Sequence, residues 1–344
     1  MTSDITLFVN PTAGRGRGAR AARPAARALR DAGFAVRTVL GHDAADALRR
    51  AREAVAAGTG ALVAVGGDGM ISLALQAVAG TPTPLGIIAA GTGNDFARTL
   101  GLPVRDPGGA ARVTAEILGA GGGRGIDLGR IGGGSTGAIT GATGAVPGTA
   151  GAITGAAGAV AGAAGAVAGA TTRWYGTVLA SGFDSRVNDR GNRMRVPAGR
   201  FKYDLAILAE LAGFRPVPYR LAFDDGRVLE TDATLVAVGN GSSYGGGMRI
   251  CADARTDDGL LDVTVVGDCD RRTLLKVFPR VYKGTHLSHP KVTTYRVRSL
   301  TVDAPDTTGY ADGEPLGPLP LTVECVPGAL RVLAPEPGPG TSPR

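Results

Sequence analysis

Two glycine loops contain the residues best suited to chemistry. Gly66-Gly67-Asp68-Gly69 follows the apolar run at residues 61–65, and Gly91-Thr92-Gly93-Asn94-Asp95 follows the apolar run at residues 85–90. Glycine lets backbone N–H groups approach a polyphosphate with no Cβ in the way. A helix starting near Met70 would add its positive N-terminal end to such a site. Asp68 is the only charge in its loop. A carboxylate beside phosphates is repulsive unless it acts through a cation, so Asp68 points to a metal, to the metal's water shell or to a nucleotide hydroxyl. The second loop supplies further backbone donors, a hydroxyl, an amide and another carboxylate. Either loop alone reads as a tight strand-to-helix turn; two at successive strand ends make one phosphate-binding wall.

A third loop, Asn10-Pro11-Thr12-Ala13-Gly14-Arg15-Gly16, follows the first apolar run. Its glycine spacing is not that of a dinucleotide fingerprint, and no P-loop lysine motif occurs. Phosphates must then be held by backbone amides and arginines.

The elements that position these loops alternate. Strands are expected at residues 5–9, 35–40, 61–65 and 85–90, and helices at residues 17–32 (irregular at Pro24) and 44–57. A further helix carries Ile71, Ala74, Leu75 and Val78 on one face, at i, i+3, i+4, i+7 spacing. Continuous apolar strands alternating with helices argue for a parallel sheet covered on both faces. Ligands bind such sheets at the carboxyl ends of the strands, where the glycine loops lie. Beyond about residue 126 the pattern changes to short strands near residues 178–179, 219–223, 234–238, 261–266 and 295–302, with helices near 203–211 and 272–282. This second region is β-rich. The Pro/Gly-rich tail, residues 335–344, is expected to be disordered.

Composition excludes more than it selects. A chain of 344 residues with 44% hydrophobic content suits one large domain or two moderate ones. Of the 37 basic residues only four are lysines, so the net charge of +7 reflects an Ala/Gly/Arg bias more than a partner. There is neither zinc-ligand spacing nor an aromatic RNA-binding motif, so nucleic acid is not the expected partner. Three cysteines without a CxxC read as buried, reduced thiols. No signal peptide and no transmembrane helix are expected. His42, His286 and His289 lack metal-ligand spacing and read as structural.

Residues 132–172 contain no charge until Arg173, and within them a seven-residue unit recurs from Gly137, Gly144, Gly151, Gly158 and Gly165. Small-xxx-small spacing would allow a closely packed helix. So much glycine, with Pro147, instead favours an expanded low-complexity loop. A basic cluster, Arg186, Arg190, Arg193, Arg195, Arg200 and Lys202, suits either an anionic bilayer or a solvated face.

Taken together, Asn10–Gly14, the GGDG loop, Gly91-Thr92-Gly93-Asn94-Asp95-Phe96-Ala97-Arg98 and Asp312-Gly313-Glu314 resemble the diacylglycerol kinase catalytic-domain family, in its bacterial lipid kinase branch. The resemblance extends through Gly182-Phe183-Asp184, residues 257–263 and His289-Pro290-Lys291-Val292, and reaches about Leu333 except for the repeat. It implies an α/β fold: a Rossmann-like parallel-sheet nucleotide domain, then a β-rich sandwich domain, with the active site in the cleft between them. Residues 1–128 would form the first, with 320–334 as candidates to complete it, and 129–319 the second, with the insert at 132–172.

The resemblance also implies roles. Asn10, Pro11, Thr12, Ala13 and Gly14 would contact ATP, and Thr38 matches a nucleotide-contacting threonine more loosely. Gly66, Gly67, Asp68, Gly69, Met70, Ile71 and Ser72 would wrap the phosphates, joined by Thr92, Asn94 and Asp95. Asp312 and Glu314 fall on the catalytic acidic motif. A structural Mg²⁺ would take Asp258 with backbone oxygens of Arg255 and Leu260. An isolated Asp-Gly is ordinarily a turn; Glu314 and the family match favour catalysis. Either carboxylate could accept the acceptor's hydroxyl proton while Mg²⁺ bridges the phosphates to Asp68 or Asp95.

The expected activity is ATP- and Mg²⁺-dependent phosphorylation of a lipid hydroxyl, foremost diacylglycerol to phosphatidic acid. It would proceed from the cytoplasm at the inner membrane face, with a homodimer as one admissible assembly. The alternatives are another lipid alcohol such as a sphingoid base, or a non-catalytic nucleotide- or lipid-binding protein. Met70 stands where the family has threonine, so Met70→Thr is expected at this stage to raise ATP affinity.

Overall fold

The computed structural model describes residues 4–9, 17–132, 172–183 and 215–336. Five residue ranges expected to matter lie outside them: 10–14, the Gly/Ala repeat, the basic cluster at 186–202, the helix near 203–211, and the tail beyond 336. The first region alternates β1 (Asp4–Val9), α1 (Arg17–Asp31), β2 (Ala35–Leu40), α2 (Ala44–Ala56), β3 (Leu62–Gly66), α3 (Asp68–Val78), β4 (Leu85–Ala89), α4 (Asp95–Thr99) and α5 (Pro107–Gly119). The strands run parallel in the order β2-β1-β3-β4.

Both faces of this sheet are covered, as the continuous apolar strands require. Phe8, Leu62, Ala64 and Ile87 join Ala47, Ile71, Leu75 and Val78 in one core. Leu7, Val63, Val65 and Ile88 join Ala25, Leu29, Ala111 and Leu118 on the other side. Successive strand residues point to opposite faces, so each strand feeds both cores. Burying a side chain such as Leu75 contributes about 1.5–3 kcal/mol.

Two departures from the sequence expectation have clear causes. α1 runs unbroken through Pro24. Ala21, Ala25, Ala26 and Leu29 are buried along it, and their packing offsets the lost hydrogen bond, about 3 kcal/mol. α5 was not foreseen, although its start is legible: Asp106 Oδ1 accepts the Gly109 N–H at 2.8 Å and Pro107 follows the cap.

The second region contains β5 (Arg124–Gly132), β6 (Arg173–Tyr175), β7 (Val178–Gly182), β8 (Val217–Phe223), β9 (Val228–Gly239), β10 (Leu261–Gly267), α6 (Arg271–Val281), β11 (Val292–Val297), β12 (Ser299–Asp303), β13 (Thr308–Ala311), β14 (Glu314–Pro318) and β15 (Leu321–Val332). The pairings within it are antiparallel, around a core that includes Tyr219, Val236, Val263 and Leu300. The single strand expected at 295–302 is two, β11 and β12. Arg298 breaks it: its N–H donates to Asp224 Oδ2 at 2.7 Å and its carbonyl accepts the Cys325 N–H at 2.7 Å.

β15 joins the two regions. Its early residues pair with β12, while Val332 pairs in parallel with Leu85 of β4. Antiparallel β5 accompanies it along both halves. Ala329, Leu330 and Val332 enter the core beneath β4, so the end of the chain packs with its beginning. Among the described residues, no helix is long and apolar enough to cross a membrane.

Candidate active site

The two glycine loops meet at the carboxyl ends of β3 and β4, backbone against backbone. A methyl group on Gly91 would lie 2.6 Å from Gly67 Cα and 2.8 Å from Asn94 Oδ1, which only glycine avoids. Asp68 clamps the pair. Its Oδ1 accepts the Asp95 N–H and its Oδ2 the Asn94 N–H, each at 2.8 Å. The carboxylate expected to serve a cation therefore holds the second loop against the first. Asn94 sits at φ 56°, with its side chain turned back on Gly91: Oδ1 accepts the Gly91 N–H at 2.9 Å and Nδ2 donates to Gly91 O at 3.0 Å. It is buried and shapes the loop, so as arranged it presents nothing to a ligand.

The expected phosphate contacts divide accordingly. Gly67, Asp68 and Gly69 open α3, and its first amides face the loop mouth as at any helix start. The Met70 and Ile71 amides are committed to Gly67 O, at 3.0 and 3.2 Å. Met70, Ile71 and Ser72 are buried. Thr92 is exposed at the mouth, and Thr38 is exposed on the edge strand β2. Met70 packs beneath Gly66, where an added methyl would meet Met70 Cβ at 2.6 Å. Threonine at that position would put a hydroxyl into an apolar core, not toward phosphate. The burial of Met70 removes the reason for expecting an affinity gain from Met70→Thr. The variant is expected to lose about 1–3 kcal/mol of stability with no gain in ATP affinity, read from urea unfolding and nucleotide titration.

Asp95 spans the junction. Its Oδ2 accepts the Gly246 N–H from the second region at 2.8 Å, and its buried Oδ1 has no hydrogen-bond partner. Burial is the main cause that pushes this carboxyl up to about 6; the Gly246 amide opposes the shift and nearby Asp68 adds to it. A raised carboxyl pKa means the unfolded chain ionises first as pH rises, so this group's contribution worsens between the ordinary carboxylate range and about 6, and the penalty persists above. From pH 4 to pH 8 it should remove about 2 kcal/mol of stability. Asp95→Asn is expected to flatten that slope, measured by denaturant unfolding at both pH values.

Across the junction lies the acidic motif. Asp312 (φ 50°) and Gly313 (φ 82°) form the two-residue turn between β13 and β14, so the expected turn and the expected site coincide. Asp312 Oδ2 accepts the Gly176 N–H at 2.9 Å; Oδ1 accepts the Thr177 N–H at 2.9 Å and the Thr177 hydroxyl at 2.5 Å. Burial pushes the Asp312 carboxyl up, against the pull of these donors, and Asp68 pushes it further. Glu314 projects onto the cradle: a methyl group on Gly69 would lie 3.1 Å from Glu314 Oε1.

Sequence reasoning missed Gly176, Thr177, Asn240 and Gly246. Gly176 is pressed between Asp312 and Phe96, whose ring carbon a methyl would meet at 2.5 Å. Buried Asn240 Nδ2 donates to Asp127 O and Gly176 O, at 2.9 and 3.0 Å. Their only sequence signals are a Gly-Thr, an Asn-Gly and a Gly-Gly-Gly run, each of which reads as a turn.

The loop expected to hold a structural metal is differently arranged. Asp258 Oδ1 accepts the Leu260 N–H at 3.1 Å, and its Oδ2 is paired with the Arg296 guanidinium. Arg255 extends to Asp257, at 3.2 Å. Asp127, not Asp258, gathers this region, accepting the Gly259 and Gly328 N–H groups at 2.7 and 2.9 Å. Among the described residues, no group of three or more His, Cys, Asp or Glu converges to hold a metal. With Arg296 already neutralising Asp258, the set Arg255, Asp258 and Leu260 does not fit a divalent cation as arranged.

Residues 4–131 match the diacylglycerol kinase catalytic domain, and residues 177–334 match the YegS C-terminal NAD kinase beta sandwich-like domain. The chain is 41% identical to a diacylglycerol kinase of Mycobacterium tuberculosis over 334 residues, covering 97% of this chain and 96% of that protein. It is 30% identical over 343 residues to a Pseudomonas aeruginosa protein named "Probable lipid kinase YegS-like", covering 98% and 97% of the two chains. In fold it is similar to a diacylglycerol kinase from Bacillus anthracis (TM-score 0.65, 20% identity, 97% of each chain). An NAD kinase from Archaeoglobus fulgidus, solved with ATP, is a more distant neighbour (TM-score 0.51, 13% identity, 97% and 94% of the chains). Glycine loops on a parallel sheet, an acidic turn reaching them from a β-sandwich, and likeness along nearly the whole length lead to one conclusion: the chain belongs to the diacylglycerol kinase catalytic-domain family of lipid kinases.

Proposed function

We propose that this protein transfers the γ-phosphoryl group of ATP to the hydroxyl of diacylglycerol at the inner face of a membrane, forming phosphatidic acid. The observation that carries the proposal is the meeting of Glu314 with Gly69, which places a carboxylate from one domain over the glycine cradle of the other. Phosphoryl transfer needs positioning, charge neutralisation and a proton acceptor. The amides opening α3 would hold the phosphates at the positive end of the helix. Thr92 would add a contact from the loop mouth. Asp312 and Glu314 are the candidates to take the acceptor's proton.

The chemistry of the loops suits a polyphosphate: glycines leave backbone amides unshielded by side chains, and the start of α3 adds its positive end. A carboxylate so near bound phosphates also calls for a cation. Mg²⁺ is held by one or two carboxylates plus substrate phosphates, so Glu314 could hold it without a wider acidic cluster. When bound it would neutralise phosphate charge.

Incubation with labelled ATP, Mg²⁺ and a total lipid extract tests the proposal. Labelled phosphatidic acid is the expected product. A labelled sphingoid base would redirect the acceptor, and no labelled lipid from any extract would sink the kinase assignment.

A further inference from the structure

Helix α6 (Arg271–Val281) carries two apolar lines, one buried and one facing outward. The inner line includes Val277 and Val281, both buried, with Leu274 and Phe278 against the same cluster of Ala180, Leu235, Ala237 and Ile250. The outer line is Leu275, Pro279 and Tyr282, at i, i+4, i+7. Leu275 is 52% and Tyr282 38% exposed. Large apolar side chains are exposed at only four described positions, the others being Leu40 and Val228, so half of them lie on this one stripe.

Charge identifies what covers it. Arg271, Arg272, Lys276 and Lys283 are exposed along the same stripe, and no acid occurs from residue 271 to 283. Asp270 caps the helix, accepting the Thr273 N–H at 2.8 Å, with Asp268 just before it. A helix with one apolar line bordered by cations fits the interface plane of a membrane, where apolar groups sink below the headgroups and the cations meet anionic lipid. A helix facing water alone would need only the cations.

We infer that α6 seats this protein on an anionic bilayer, with Leu275, Pro279 and Tyr282 entering the headgroup layer and Arg271, Arg272, Lys276 and Lys283 binding lipid phosphates. One loop connects the seat to the cleft. The Arg249 N–H donates to Val281 O at the end of α6, at 3.1 Å, and three residues earlier the Gly246 N–H donates to Asp95. Contact with the bilayer would therefore bear on the loop whose Gly246 amide holds Asp95. The inference rests on the lipid-kinase proposal for its biological sense, though the docking itself does not depend on it.

The test uses the full chain and phosphatidylcholine vesicles, with and without phosphatidylglycerol. The double variant Arg272→Gln/Lys276→Gln is expected to lower partitioning onto anionic vesicles about thirty-fold, from about 1 kcal/mol per charge. Leu275→Ser should lower it further. Thermal unfolding should be unchanged, as should phosphorylation of a water-soluble short-chain diacylglycerol. Unchanged partitioning overturns the inference, as does binding insensitive to salt and lipid charge. A lower sedimentation mass in Leu275→Ser with partitioning intact would make the stripe a contact between copies and also overturn it. If no lipid is phosphorylated but the vesicle result holds, the kinase proposal fails and the docking surface stands.

Discussion

Asp312→Asn is expected to abolish phosphoryl transfer, with kcat falling by at least about 10³-fold, while nucleotide binding persists. Two effects combine. The variant removes a candidate base, and it turns an amide NH₂ toward the donors of Gly176 and Thr177 that now bond the carboxylate. An unmade buried hydrogen bond costs about 1–3 kcal/mol, so the variant should also unfold more easily. Glu314→Gln separates the two effects. Glu314 is partly exposed, so its fold should be untouched while transfer falls about 10²–10⁴-fold. The measurements are single-turnover transfer, nucleotide titration and urea unfolding on both variants. Because burial raises the Asp312 carboxyl, and a base must be ionised to act, the acid limb of the wild-type rate profile should lie above the ordinary aspartate range. Wild-type turnover in Asp312→Asn would remove it from the mechanism.

The second large effect is at Gly91. Its added methyl in Gly91→Ala would meet the Gly67 backbone at 2.6 Å and Asn94 Oδ1 at 2.8 Å. Backbone cannot swing aside as a long side chain can, so the loops must part. Overpacking of this kind costs about 1–3 kcal/mol. Parting also breaks the clamp in which Asp68 accepts the Asn94 and Asp95 amides. Nucleotide affinity should fall about 100-fold or more, the equivalent of about 3 kcal/mol. Gly33→Ala makes a suitable control for glycine loss as such, since nothing lies within 4 Å of its added methyl; with φ at +91° it will strain its own turn but leave nucleotide affinity unchanged. Wild-type nucleotide affinity in Gly91→Ala would show that the two loops need not touch to bind.

Much of the first domain was legible in the chain because its signals are local. Residues 62–66 and 85–89 are continuous apolar runs, and such runs bracketed by helices leave little alternative to a buried parallel sheet. The glycine loops fall at the ends of those strands, so the place of the candidate site followed from the strands. Less was legible beyond residue 126. The pairing of β5 with β15 joins residues such as Gly132 and Thr322 that are far apart in sequence, and no local pattern announces it.

Residue types and spacing by themselves determined the strand–helix alternation, the glycine loops at its strand ends and the Asp312-Gly313 turn, because each depends on neighbours within a few positions. Only the tertiary structure decided what those residues touch. It turned Asp68 from an expected cation partner into a clamp, set Met70 into the core, paired Asp258 with Arg296 and brought Glu314 over Gly69. Those outcomes depend on which surfaces the β5–β15 ribbon brings together, and long-range packing of that kind is absent from any short stretch of the chain.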